Sequence, residues 1–157
     1  MSTLTVQGLD PDTTYWFKAG SLFSGATNYA PAVSSATWTN FISPSVLSVS
    51  SLTVTAGWPA FATQSGTNTA QGYRFEAYTD AGYTALAGSS VTTNVVLSTL
   101  TINGLTPFTT YYLRAGAINW DNVVNYATFG STMTNLFFSP ARRMTVRISS
   151  RVNNPFP

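Results

Sequence analysis

The groups able to do ionic or acid–base chemistry in this 157-residue chain are few: five carboxylates, seven Lys or Arg, and no His. Cysteine is absent as well. Without imidazole there is no ordinary general base near neutral pH and no nitrogen ligand of the usual kind for a metal. Without sulfur there is no thiolate nucleophile and no disulfide. Ser and Thr abound, at 18 and 25 residues, but a Ser–His arrangement is impossible and the only amine side chain is Lys18. Glycoside hydrolysis needs two opposed carboxylates across a cleft, and the positions of Glu76, Asp80 and Asp121 along the chain do not set their separation in space. Asp10-Pro11-Asp12 has the outline of a calcium pair, yet calcium takes about six to eight oxygens, and a turn explains the triplet better. The residue types therefore assign no catalytic residue, no cofactor and no metal ligand, and the expectation is a non-enzyme.

What the chain does carry in quantity is apolar material. It is 44% hydrophobic and 14% aromatic, with only 8% charged residues, against roughly 25% in ordinary soluble proteins. Its net charge of +2 is unevenly placed. Lys18, Arg74 and Arg114 face five acids in residues 1–141, while Arg142, Arg143, Arg147 and Arg151 stand in the tail with no acid. Four arginines without a lysine make a poor nucleic-acid footprint, so no nucleic-acid partner is expected. No run approaches the ~18 apolar residues of a membrane span. The opening Ser2-Thr3-Leu4-Thr5-Val6 lacks the basic start and apolar stretch of a secretory leader, and no Asn-x-Ser/Thr sequon occurs.

The elements that must position these residues are organised by a repeat. Leu4-Thr5-Val6-Gln7-Gly8-Leu9-Asp10-Pro11-Asp12-Thr13-Thr14-Tyr15 returns 96 residues later as Leu100-Thr101-Ile102-Asn103-Gly104-Leu105-Thr106-Pro107-Phe108-Thr109-Thr110-Tyr111. Further on, Asn28-Tyr29-Ala30 matches Asn125-Tyr126-Ala127, Thr39-Asn40 matches Thr134-Asn135, and Ser43-Pro44 matches Ser139-Pro140. The second copy replaces both aspartates of the triplet, which removes the calcium reading there. Period-2 alternation over 52–58, 73–78, 100–102 and 111–115, in β-branched and aromatic residues between Gly, Pro, Asn and Asp clusters, predicts strands. No stretch shows a capped 3.6-residue stripe. Seven short strands per unit make a β-sandwich and exclude helical bundles and α/β folds.

These residues resemble the fibronectin type III family, in the form of tandem bacterial-type repeats of about 96 residues. The likeness runs through Trp58-Pro59, Gly72-Tyr73-Arg74-Phe75 and the segment from Leu100 to Tyr111. It implies tandem immunoglobulin-like sandwiches, the first incomplete: strands E, F and G in 1–40, a whole domain in 41–138, and a basic strand or the start of a third unit in 139–157. It also implies two tyrosine corners, Leu9, Pro11 and Tyr15 in one copy and Leu105, Pro107 and Tyr111 in the other, each tyrosine hydroxyl bonding backbone that the corner leaves unpaired.

An incomplete first sandwich has a physical consequence. Leu4, Val6, Leu9, Tyr15 and Phe17 would face water, and at about 1.5–3 kcal/mol for each buried side chain this forfeits on the order of 10 kcal/mol. One candidate cover is the tail, where Met144, Val146 and Ile148 alternate with Arg143, Thr145 and Arg147 as an amphipathic assembly strand. Its alternative role is the A strand of a third unit. Alternation also turns Trp16 and Tyr112 outward, with Lys18, Arg114, Arg74, Glu76 and Tyr78, as contact aromatics and charges or as ordinary cross-strand pairs. In the F–G loop Trp120 is either an anchor or folded back on its own sandwich. The sequence thus reads as a structural chain of an extracellular or cell-surface fibre, its partners copies of itself or adjacent repeats. The alternative is an adhesion or glycan-binding spacer of a larger surface or secreted protein.

Overall fold

The computed structural model of the chain describes residues 3–61 and 69–136. It is all-β, with no helix among the described residues. The tail residues Arg143, Met144, Val146, Arg147 and Ile148, read above as an assembly strand, lie outside the described residues.

Residues 41–136 form a sandwich of seven strands. The first sheet holds β5 (Ser45–Val49), β6 (Val54–Gly57) and β9 (Thr99–Ile102); the second runs β11 (Val124–Met133), β10 (Thr110–Ile118), β7 (Gly72–Tyr78), β8 (Leu86–Thr92). All pairings are antiparallel. Alternation places Val54, Ala56, Tyr73, Phe75, Ala77, Leu100, Ile102, Leu113, Ala115 and Ala117 in one core between the sheets. Trp58 and Phe61 close one end of that core over Tyr73, at ring separations of 5.1 and 5.9 Å. The Tyr73 hydroxyl accepts from the Phe61 amide and donates to the Val95 carbonyl, so the buried phenol leaves no polar group unpaired.

The first unit is a long hairpin. It consists of β1 (Thr14–Phe17), β2 (Gly20–Phe23), β3 (Ala26–Tyr29) and β4 (Val33–Ala36), with β1 on β4 and β2 on β3. These are the counterparts of β10 and β11, interrupted after Phe17. The expected E strand over Leu4–Val6 is corrected: residues 3–13 form no strand, and Leu4 and Val6 are exposed. The physical reason is pairing. In the complete unit β9 lies against β6, whereas Leu4–Val6 has no neighbouring strand among the described residues to take its amides and carbonyls.

Both tyrosine corners form. The Thr106 amide donates to the Tyr111 hydroxyl at 2.9 Å, and the Asp10 amide donates to the Tyr15 hydroxyl at 3.0 Å. Left-handed residues recur in register, with Gly8 and Gly104 at φ 74° and 75°, and Asp12 and Phe108 at 49° and 50°. The corners also correct the repeat register of the last strand. Thr134 donates to the Thr106 and Thr109 carbonyls and accepts the Thr109 amide. The residue doing the same in the first unit is Thr37, on Asp10 and Thr13, not Thr39. Thr39-Asn40 and Thr134-Asn135 share letters but not position in the fold. The hydrogen bonds instead carry the one-residue-longer F–G loop through to the strand's end, so Thr37 and Trp38 correspond to Thr134 and Asn135.

Candidate functional site

Four of the five carboxylates serve as structural acceptors. Asp80 is held by the Thr84 and Ala85 amides and the Thr84 hydroxyl of one turn, and these bonds, that from Ala85 first, lower its pKa. Glu76, buried on the outer face of the second sheet, accepts the Arg114 Nε–H at 2.9 Å and the Tyr78 hydroxyl at 2.8 Å. The Arg114 guanidinium lies over the rings of Tyr126, Tyr78 and Tyr83, at 4.0, 4.8 and 5.6 Å. This face is a closed charge-and-aromatic cluster. The expected outward placement of Arg74, Glu76, Tyr78, Tyr112 and Arg114 holds as strand geometry, but Glu76 and Tyr78 are buried beneath neighbours that alternation alone does not reveal.

The remaining carboxylates, Asp12 and Asp121, meet at the join between the units. Asp121 in the F–G loop of the sandwich accepts the Ala36 amide at 2.7 Å and the Ser35 hydroxyl at 3.1 Å. Asn119 is fixed by its Oδ1, which takes the Asp121 and Val123 amides, and its Nδ2 donates to the Thr37 carbonyl. Asn125 donates to the Thr39 carbonyl, and Thr39 donates to the Ala117 carbonyl. From the other side Asp12 Oδ2 accepts Thr69 Oγ1 and Gln71 Nε2, both at 3.0 Å, while its Oδ1 is buried and has no partner among the described residues. The F–G loop, expected to be a contact loop, is thus used for contact within the chain. The residues that grip are Asn119, Asp121 and Asn125; of the two readings of Trp120, the one that folds it back on its own sandwich is corrected, because the ring is exposed. Asn and Asp stood out less in the sequence than Trp, since a loop's polar residues are equally suited to solvent.

Trp16 is exposed on β1 and Tyr112 half-buried on β10. No ring contact joins Trp16, Tyr112 or Trp120 among the described residues. A shallow hollow lined by Phe41, Ile42, Ser43, Pro59, Ala60 and Phe61 brings no ionisable side chains together. Among the described residues no cluster of three or more acids stands in metal-binding proximity, and no helix is long and apolar enough to cross a membrane.

In overall geometry the chain is similar to the crystal structure of chicken CNTN1 FN1–FN3 domains, with a TM-score of 0.50 at 20% identity over 81% of this chain. The fold is that of fibronectin type III domains. A solution structure of an fn3 domain of human contactin 1 gives 0.52 at 16% identity, covering 66% of this chain and 84% of that one. One of human collagen alpha-1(XX) gives 0.50 at 14%, covering 66% and 91%. This chain spans 44% of the length of the chicken structure. No family model and no curated protein matches the sequence. Within the fibronectin type III frame β5–β6–β9 takes the place of strands A, B and E, and β8–β7–β10–β11 that of the sheet ending in F and G.

Proposed function

We propose that this chain is a non-enzymatic structural element of an extracellular or cell-surface fibre, built from fibronectin type III-like units that associate through strand pairing or complementation. One observation carries the reading. In the complete unit β10 lies between β11 and β7, but its counterpart β1 has β4 on one edge and no strand on the other among the described residues. An unfilled edge beside apolar side chains is a template for an added strand. The amphipathic segment 143–149, or the equivalent strands of an adjacent repeat, has the required pattern. Low charge and the many hydroxyl side chains suit a chain packed laterally against copies of itself.

Sedimentation velocity across a hundredfold concentration range, with electron microscopy of the same samples, tests this. Ordered polymers that grow with concentration support the fibre, and loss of them on deleting residues 141–157 supports donation by the tail. A discrete monomer that binds glycans through Trp16 or Trp120 instead favours the adhesion or spacer reading.

A further inference from the structure

We infer that copies of this chain dock end to end, the tip of the β2–β3 hairpin of one copy seating on the far end of the sandwich of the next, with Phe23 against Met133 between Phe108 and Leu136. The inference rests on the fibre reading and names a contact within it.

The join inside the chain is the template for this contact. Its donor surface is the end of the first unit, where Asp12, Ala36 and Thr39 are only 3%, 9% and 4% exposed because the sandwich covers them. The corner and strand hydrogen bonds identify the equivalents of these residues in the second unit as Phe108, Met133 and Leu136. Those three are 61%, 50% and 51% exposed. At the end of the second unit, then, one acidic and two small side chains have become three large apolar ones in the same places, each of them exposed.

The receiving surface changes in the same sense. Asn119 is 1% exposed and reaches across the join to the Thr37 carbonyl. In the first unit the hairpin pairs Leu22 with Thr27 as the sandwich pairs Ile118 with Val124, which puts Phe23 where Asn119 stands. Phe23 is 83% exposed and Leu22 beside it is exposed too. Asp121, the other grip residue, gives way to Gly25 at the tip. Polar groups therefore face polar groups at the join inside the chain, while exposed apolar groups stand at the two outer ends of the described units. Exposed apolar surface at two complementary ends is the pattern of a heterologous contact, which repeats without closing into a ring unless the rotation demands it. Asn119 meets the backbone at Ala36 and Thr37, so the equivalent contact of Phe23 falls at Met133 and Thr134. A third repeat in a longer chain presents the same kind of surface, and its F–G loop is the competing occupant.

The absence of native cysteine makes the test direct. Phe23→Cys and Met133→Cys are made singly and together in the full chain, and oxidised before non-reducing electrophoresis. Equal mixtures of the single variants should give one cross-linked dimer, each single variant alone none, and the double variant a ladder. Phe23→Glu and Met133→Lys should each weaken association by about tenfold or more, with far-ultraviolet circular dichroism and melting temperature unchanged, and the two together should restore it. Cross-linking of Phe23→Cys with itself, or polymers that form with neither ladder nor sensitivity to the charges, overturns this contact and leaves the fibre reading standing. A chain that is monomeric at every concentration and never cross-links overturns both.

Discussion

Tyr111 shows how much one hydroxyl does at a corner. It is buried, and its oxygen is the acceptor for the Thr106 amide where the chain turns from β9 to β10. Tyr111→Phe keeps the ring and orphans that amide, which predicts a loss of about 1–3 kcal/mol in denaturant unfolding; a change below a few tenths would remove the corner as a stabilising element. Tyr78 makes a different prediction. Burial, with the hydrogen bond to Glu76 and its charge behind it, pushes the phenol from 10.0 up to about 12. The folded chain therefore holds this proton more tightly than the unfolded one. The contribution is complete below pH 10 and is lost as pH rises through 12. Alkaline unfolding followed between those limits should flatten in Tyr78→Phe, and an unaltered slope would contradict the assignment. The two corners were legible from residue letters because a corner is local. The Arg114 cluster was only half legible. Alternation gives the face, but Tyr126 and Tyr83 arrive from other segments, through a register that the sequence does not state.

Among the elements, the contrast between β10–β11 and its copy explains most of what the sequence alone did not settle. Alternating runs predicted strands for both copies, and the hairpin formed in both. The predicted strand over Leu4–Val6 did not form, although its second copy, Leu100–Ile102, did. A strand pattern specifies which face is apolar, not whether a partner is there to pair. At β7 the pairing is so close that one residue has no room for a side chain. Gly72 has φ 151°, and a Cβ there would stand 2.1 Å from the Thr92 carbonyl oxygen of β8. Gly72→Ala should force the two strands apart and cost about 2 kcal/mol or more, seen as a lowered melting midpoint. Full stability in that variant would mean that the β7–β8 pairing is looser than its register implies.

At the scale of the molecule, the described residues make one core with a hairpin attached to it. The sandwich buries Tyr73, Phe75, Ala77, Leu113 and Ala115 completely, whereas much of β2 and β3 is exposed. Stability should therefore be graded along the molecule, and native-state hydrogen exchange resolves it amide by amide. Amides of β7 and β10 should exchange only by global opening, and those of β2–β3 far faster. The Ala36 amide should fall between them, because its acceptor is the Asp121 carboxylate across the join. A hydrogen bond to a charged group is worth about 1.5–3 kcal/mol, at the lower end when the carboxylate is exposed, as it is here. Asp121→Ala should then speed exchange at Ala36 by about tenfold and leave β7 and β10 unchanged. Unchanged protection at Ala36 would mean that the first unit is held by something other than the F–G loop, and the equivalence between the internal join and the outer ends of the units would lose its footing. A uniform loss across β7 and β10 would show instead that hairpin and sandwich unfold as one body.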